Sequence, residues 1–190
     1  MVKDFYRAIQ ACLIEIDNEI VEKVIFQWKN NLQHSEEDSG RIFIIGNGGS
    51  CAIAEHISTD LNKRCKVKAH TLSNNSLATC LSNDYGYEKA FEQWLRINQI
   101  NNFDYLVAIS SSGKSLNILN AIQYALTNKT PVFAIFGMDG RPWAFDATGG
   151  VTDWEDGDNS FIHIDSYNYG VIELTTEIIL HSIVEELVIE

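Results

Sequence analysis

Basic residues are scarce in this 190-residue sequence: 14 lysines and arginines stand against 26 acidic residues, a formal net charge of −12. A field of that sign repels phosphate backbones and anionic lipid, which argues against general nucleic-acid binding. A small anion stays compatible, because short-range hydrogen bonds in a pocket outweigh a screened global field. Cysteine is sparse too, and Cys12, Cys51, Cys65 and Cys80 lack CxxC or similar zinc spacing. The amino terminus has no basic-then-apolar secretory pattern, and no apolar run approaches the roughly 20 residues a membrane-spanning helix requires. The expectation is a protein of the reducing cytoplasm with no membrane partner.

What is present is ordinary globular composition, 45% apolar and 21% charged, in a length that suits one domain over residues 1–190. Phe5, Ile9, Leu13, Ile16, Ile20, Val24 and Trp28 recur at spacings of three or four and predict one long helix within residues 1–34. Ile14, Val21, Ile25 and Phe26 widen that stripe beyond what one small sheet can cover, so part of it is expected at a subunit interface.

Residues 41–190 read as an α/β core. Ile42–Ile45, then Gly46-Asn47-Gly48-Gly49-Ser50, then a helical pattern to about Arg64 spell strand, tight turn, helix. The same grammar returns at Tyr105–Ile109, Ser110–Ser115 and a helix through about Leu126. Such units imply a parallel sheet. Strands at Lys68–Leu72, Val132–Phe136 and Phe161–Ile164 and helices at Tyr87–Asn98 and Gly170–Val188 complete an expected five-stranded sheet with helices on both faces. Gly137–Ser160, with five glycines and six acidic residues, reads as a long loop with one short strand near Val151.

Four hydroxyls, Ser110, Ser111, Ser112 and Ser115, stand where a strand's carboxyl end meets a helix's amino end. Hydroxyls at the sides and amides at the helix start suit one phosphate, and Lys114 adds charge if it turns inward. A serine-rich helix cap is the alternative. The glycine turn alone is weak evidence, since it matches neither common nucleotide-binding spacing. His56 and Asp60, four apart, share one flank of the helix after that turn, and Glu173, Glu177 and His181 form a polar stripe on the last, largely apolar helix.

Gly46–Ser50, His56 with Asp60, Ser82-Asn83-Asp84-Tyr85-Gly86, Ser110–Ser115 and the Glu173/His181 helix together resemble the phosphoheptose isomerase branch of the sugar-isomerase (SIS) domain family. The resemblance implies a single SIS domain. It further implies conversion of sedoheptulose 7-phosphate to a heptose 7-phosphate for bacterial surface polysaccharide, lipopolysaccharide or capsule, by a homotetramer. Carried over, Ser110, Ser111, Ser112 and Ser115 hold the phosphate, while Asn47, Gly48, Gly49, Ser50, Asn83, Asp84 and Glu173 contact the sugar. Asp60 and His181 are the implied base and acid. His56, Asp60, Glu173 and His181 are the implied ligands of zinc or another divalent cation.

Two positions depart from that branch, which has glutamate where this chain has Asp60 and glutamine where it has Glu173. Asp60 keeps a carboxylate with about 1.5 Å less reach. Other readings stand beside this one: a non-catalytic SIS protein that binds a phosphosugar or a protein partner, such as a replication initiator, and an isomerase of a different phosphosugar.

Overall fold

The computed structural model describes residues 2–32, 40–140 and 158–188. The chain runs α1 (Val2–Ile14), α2 (Asn18–Leu32), β1 (Ile42–Gly46), α3 (Gly49–Arg64), β2 (Ala69–Thr71) and α4 (Asn75–Tyr85). After a 3-10 turn at Tyr87–Lys89 it continues through α5 (Ala90–Ile97), β3 (Tyr105–Ser110), α6 (Leu116–Thr127), β4 (Val132–Gly137), β5 (Ser160–Ile164) and α7 (Tyr169–Leu187).

All five strands pair in parallel, in the order β2-β1-β3-β4-β5. β1, β3 and β4 are buried at every residue, as strands covered on both faces must be. Alternation sorts their side chains. Ile42 and Ile44 join α1, α2, α3 and α7 in one apolar layer, and Phe43 and Ile45 join α4, α5 and α6 in the other.

The expected single amino-terminal helix is two. The chain turns at Asp17, whose carboxylate accepts from the Glu19 N–H at 3.0 Å and opens α2. The apolar spacing runs across the break, with Ile16, Val24 and Trp28 all buried, so periodicity alone hid it. The stripe faces the core as expected, whereas Ile14 and Phe26 stay exposed at 81% and 68%. Helix α4 was not anticipated. It buries only Leu81 and is started by Asn74, whose side chain accepts from the Leu77 N–H. The predicted strand near Val151 and most of its loop lie outside the described residues.

At the amino-terminal edge of the sheet, Asp104 ties β3 to β1. Its carboxylate takes the Arg41 guanidinium in a fork, Nε to Oδ1 at 2.9 Å and Nη2 to Oδ2 at 2.7 Å, and also accepts from the Arg41 N–H. The Asp104 side chain is 2% exposed. None of the helices is long and apolar enough to cross a membrane among the described residues.

Candidate functional site

β1 and β3 are neighbours, yet the helices that follow them leave on opposite faces: α3 packs in one layer and α6 in the other. A crevice therefore opens beyond the carboxyl ends of these two strands, the usual ligand position in a doubly wound sheet. Here it is a cleft of about 290 Å³, lined by Asn47, Gly48, Gly49 and Ser50 after β1, by Ser110, Ser111, Ser112 and Ser115 after β3, and by Tyr169 and Glu173 of α7.

Two glycines shape its floor. Gly48 has φ of +57°, a left-handed conformation costly for any residue with a Cβ. Gly49 faces the Glu173 carboxylate so closely that a Cβ there would overlap it. Across the cleft, Ser110 Oγ accepts from the Gly113 N–H at 3.1 Å and Ser112 Oγ from the Lys114 N–H at 3.2 Å. Both hydroxyls keep their own hydrogens for a ligand. Ser115 is the N-cap of α6 but makes no side-chain capping bond, so its hydroxyl is not consumed by the helix. That favours an anion cradle over a simple cap. Lys114 points elsewhere, its Nζ 3.2 Å from Asp139 Oδ2. Cys51 is no ready nucleophile beside the cleft, because burial, then Glu55, pushes its thiol up.

A second group lies further along two helices. Helices α3 and α7 both start at the cleft and run side by side in the same direction: Gly49 meets Glu173, His56 meets His181, and Arg64 meets Glu185. Two turns along, the His56 and His181 rings stand 5.1 Å apart, edge to face. Asp60 Oδ2 is 3.9 Å from His56 Nε2 and 3.9 Å from His181 Nδ1. Arg64 Nη1 adds positive charge 3.6 Å from the same oxygen and is itself held by Glu185 at 2.7 Å. The hydrogen bond to Arg64 holds the Glu185 carboxyl below its usual range.

Ligand atoms of His56, Glu177 and His181 all lie within 4.8 Å of one another. Two imidazole nitrogens and a carboxylate oxygen at that separation suit a divalent cation such as zinc. Glu177, not Glu173, joins the histidines. Glu173 lies two turns from His181, about 12 Å at 1.5 Å per residue, and borders the serine cleft.

The structure thus gathers Asn47, Gly48, Gly49, Ser50, the four serines and Glu173 in one place, and His56, Asp60 and His181 in another. Asn83 and Asp84 stand apart from the cleft lining at the end of α4, where Asn83 Nδ2 donates to Asp84 Oδ1 at 3.0 Å. The sequence reading passed over Tyr169, Tyr87 and Asn117, and it placed Glu177 on one stripe with His181 without joining it to His56. Asn117 did carry a signal, a buried amide among Leu116, Ile118 and Leu119 in the first turn of an apolar helix.

The sequence profile of the SIS domain matches residues 4–137, well over half of the chain. The chain belongs to the SIS domain family. Among curated relatives, a phosphoheptose isomerase of Shewanella sediminis (strain HAW-EB3) is 34% identical over 152 residues, 75% of this chain and 75% of the relative. Another, from Helicobacter pylori (strain HPAG1), is 37% identical over 110 residues, 55% of this chain, so the match spans only 57% of that relative. A solved phosphoheptose isomerase from Neisseria gonorrhoeae superposes with a TM-score of 0.81 at 24% identity, covering 97% of this chain and 93% of that one. This SIS domain accordingly shares the five-stranded parallel core expected from its sequence.

Proposed function

We propose that this SIS protein is a phosphosugar aldose–ketose isomerase that takes sedoheptulose 7-phosphate to a heptose 7-phosphate, for the heptose of a bacterial surface polysaccharide. One observation carries the reading: two parallel helices begin at a serine-lined anion cleft and, about three turns on, bring Asp60 and His181 within 3.9 Å of each other. The similarity to phosphoheptose isomerases supports the choice of sugar.

The phosphate is held by Ser110, Ser111, Ser112 and Ser115 and by amides at the start of α6. Asn47, Gly48, Gly49, Ser50 and Glu173 face the sugar, with Asn83 and Asp84 further out. Asp60 removes a proton from C1 of the ketose while His181 donates one to the C2 oxygen, giving an enediol. His181 then takes the C1 hydroxyl proton and Asp60 delivers its proton to C2, which leaves the aldose. Arg64 places positive charge beside the Asp60 carboxylate.

His56, Glu177 and His181 are the proposed ligands of zinc or another divalent cation, which when bound would polarise the carbonyl in place of proton donation by His181. With Glu177 as the carboxylate ligand, Asp60 is left to act as base. The exposed Ile14, Phe26, Leu174 and Ile178 support a homo-oligomer, with a homotetramer as the proposed state, working in the cytoplasm.

A second reading has one observation in its favour: the Glu173 carboxylate borders the cleft where the resembling branch has an amide, which suits a different phosphosugar. The test is purified protein incubated with sedoheptulose 7-phosphate and, separately, with other ketose phosphates. Aldose formation from sedoheptulose 7-phosphate supports the first reading. Turnover of another sugar alone supports the second, and turnover of none overturns both.

A further inference from the structure

The geometry points to Asn117 and Tyr87 as positioning residues that make Asn47 a one-way hydrogen-bond donor to the bound ligand. Asn47 follows β1 directly and lines the cleft. Asn117, in the first turn of α6, is 2% exposed. The two amides pair reciprocally: Asn47 Nδ2 donates to Asn117 Oδ1 at 3.0 Å, and Asn117 Nδ2 donates to Asn47 Oδ1 at 2.9 Å. The Tyr87 hydroxyl, from the turn after α4, donates to the same Asn47 Oδ1 at 2.7 Å.

The orientation of this pair is fixed from the protein side. The Ile118 N–H is shared between the Ser115 carbonyl and Asn117 Oδ1, each at 3.0 Å, and an Nδ2 in place of that oxygen would set donor against donor, so the oxygen end lies there and Nδ2 faces Asn47. Asn47 is thereby obliged to turn its own oxygen toward Asn117 and Tyr87. An amide oxygen has two lone pairs and an amide nitrogen two hydrogens. Both lone pairs of Asn47 Oδ1 are taken, and one Nδ2 hydrogen is taken. What remains is one N–H.

The ligand atom that meets Asn47 must therefore be an acceptor, a carbonyl, phosphate or hydroxyl oxygen, and not the hydrogen of a hydroxyl. A freely rotating asparagine would accept either. The inference rests on the proposed role of the cleft in phosphosugar binding and adds the polarity of one contact and the two residues that impose it.

Asn117→Asp keeps size and the Ile118 contact but removes the Nδ2 donor, and Tyr87→Phe keeps the ring but removes the hydroxyl. With sedoheptulose 7-phosphate, Asn117→Asp is expected to lower kcat/KM by about tenfold or more, the scale of one lost hydrogen bond to a charged or polarised group. Tyr87→Phe should lower it by a smaller factor. In an Asn47→Ala background both changes should have almost no further effect, because their action runs through Asn47. Equal losses in both backgrounds, with matching melting temperatures, would overturn the inference and leave a merely structural tie.

Side-chain amide exchange in the free protein, followed by NMR, decides the matter even where sedoheptulose 7-phosphate neither binds nor reacts. One Nδ2 hydrogen of Asn47 should be protected and the other should exchange with water. In folded Asn117→Ala, which removes the Oδ1 acceptor as well, both should exchange. Two fast-exchanging hydrogens in the wild-type protein would contradict the assignment, whereas failure of turnover alone would count against the proposed function.

Discussion

His56 of α3 and His181 of α7 stand ring to ring, 5.1 Å apart, with Glu177 within ligand distance of both. Such a cluster should take up a divalent cation. Glu177→Gln is therefore expected to weaken zinc affinity by about tenfold or more, and Glu173→Gln to leave it nearly unchanged, since Glu173 borders the other cleft. Competition with a chromophoric chelator measures both. The reverse order would return Glu173 to the ligand set.

His181→Gln separates a working imidazole from a core one. Loss of a positioned acid should lower turnover by roughly a hundredfold, with little change in phosphosugar affinity, because Glu173, which borders the serine cleft, lies about 12 Å away along α7. Turnover, calorimetric affinity and melting temperature on the one variant make the distinction. Wild-type turnover with a lowered melting temperature would show a structural histidine.

The serine cleft is tested by Ser110→Ala combined with Ser112→Ala. Each hydroxyl accepts one loop N–H and keeps its hydrogen for the ligand. Losing two donors to a charged group, each worth roughly 1.5–3 kcal/mol, should weaken phosphosugar binding by at least about tenfold. Unchanged affinity would remove the phosphate from this loop.

Gly49→Ala places a methyl group on the Glu173 carboxylate. The variant should lose phosphosugar affinity, and Gly49→Ala with Glu173→Ala should recover part of it by vacating the overlap. No recovery in the double variant would mean that Gly49 is needed for backbone approach to the ligand and not for room.

The strands and the serine cleft were legible in the sequence because buried parallel strands are apolar at every position and each ends in a distinctive loop. Ile42–Gly46 and Tyr105–Ser110 match their expected spans within a residue. The break at Asp17 was not legible from spacing, since Ile16 and Ile20 keep the helical period across it. Helix α4 has only Leu81 buried and so carries little apolar signal. At the site, His56 and Asp60 shared a helix face by spacing alone. The choice between Glu173 and Glu177 depended on how α7 slides against α3, which no single-helix periodicity encodes.

Removing the Asp104 fork tests the frame without touching the cleft. Asp104 is buried at the opposite edge of the sheet and Arg41 is partly exposed. Asp104→Ala should cost roughly 3 kcal/mol, the low end for breaking a buried pair, read as a lower melting temperature, with phosphosugar affinity retained by the folded protein. A loss of affinity at unchanged stability would contradict the separation of frame and site.

Asp60 and His181 are proposed to move a proton between C1 and C2 of a phosphosugar. NMR of sedoheptulose 7-phosphate incubated with the protein in deuterium oxide tests it most directly. The expected result is a growing aldose signal with solvent deuterium at C2, absent in Asp60→Asn. Unchanged ketose with no deuterium at C1, from a folded protein that binds the sugar phosphate, would contradict it.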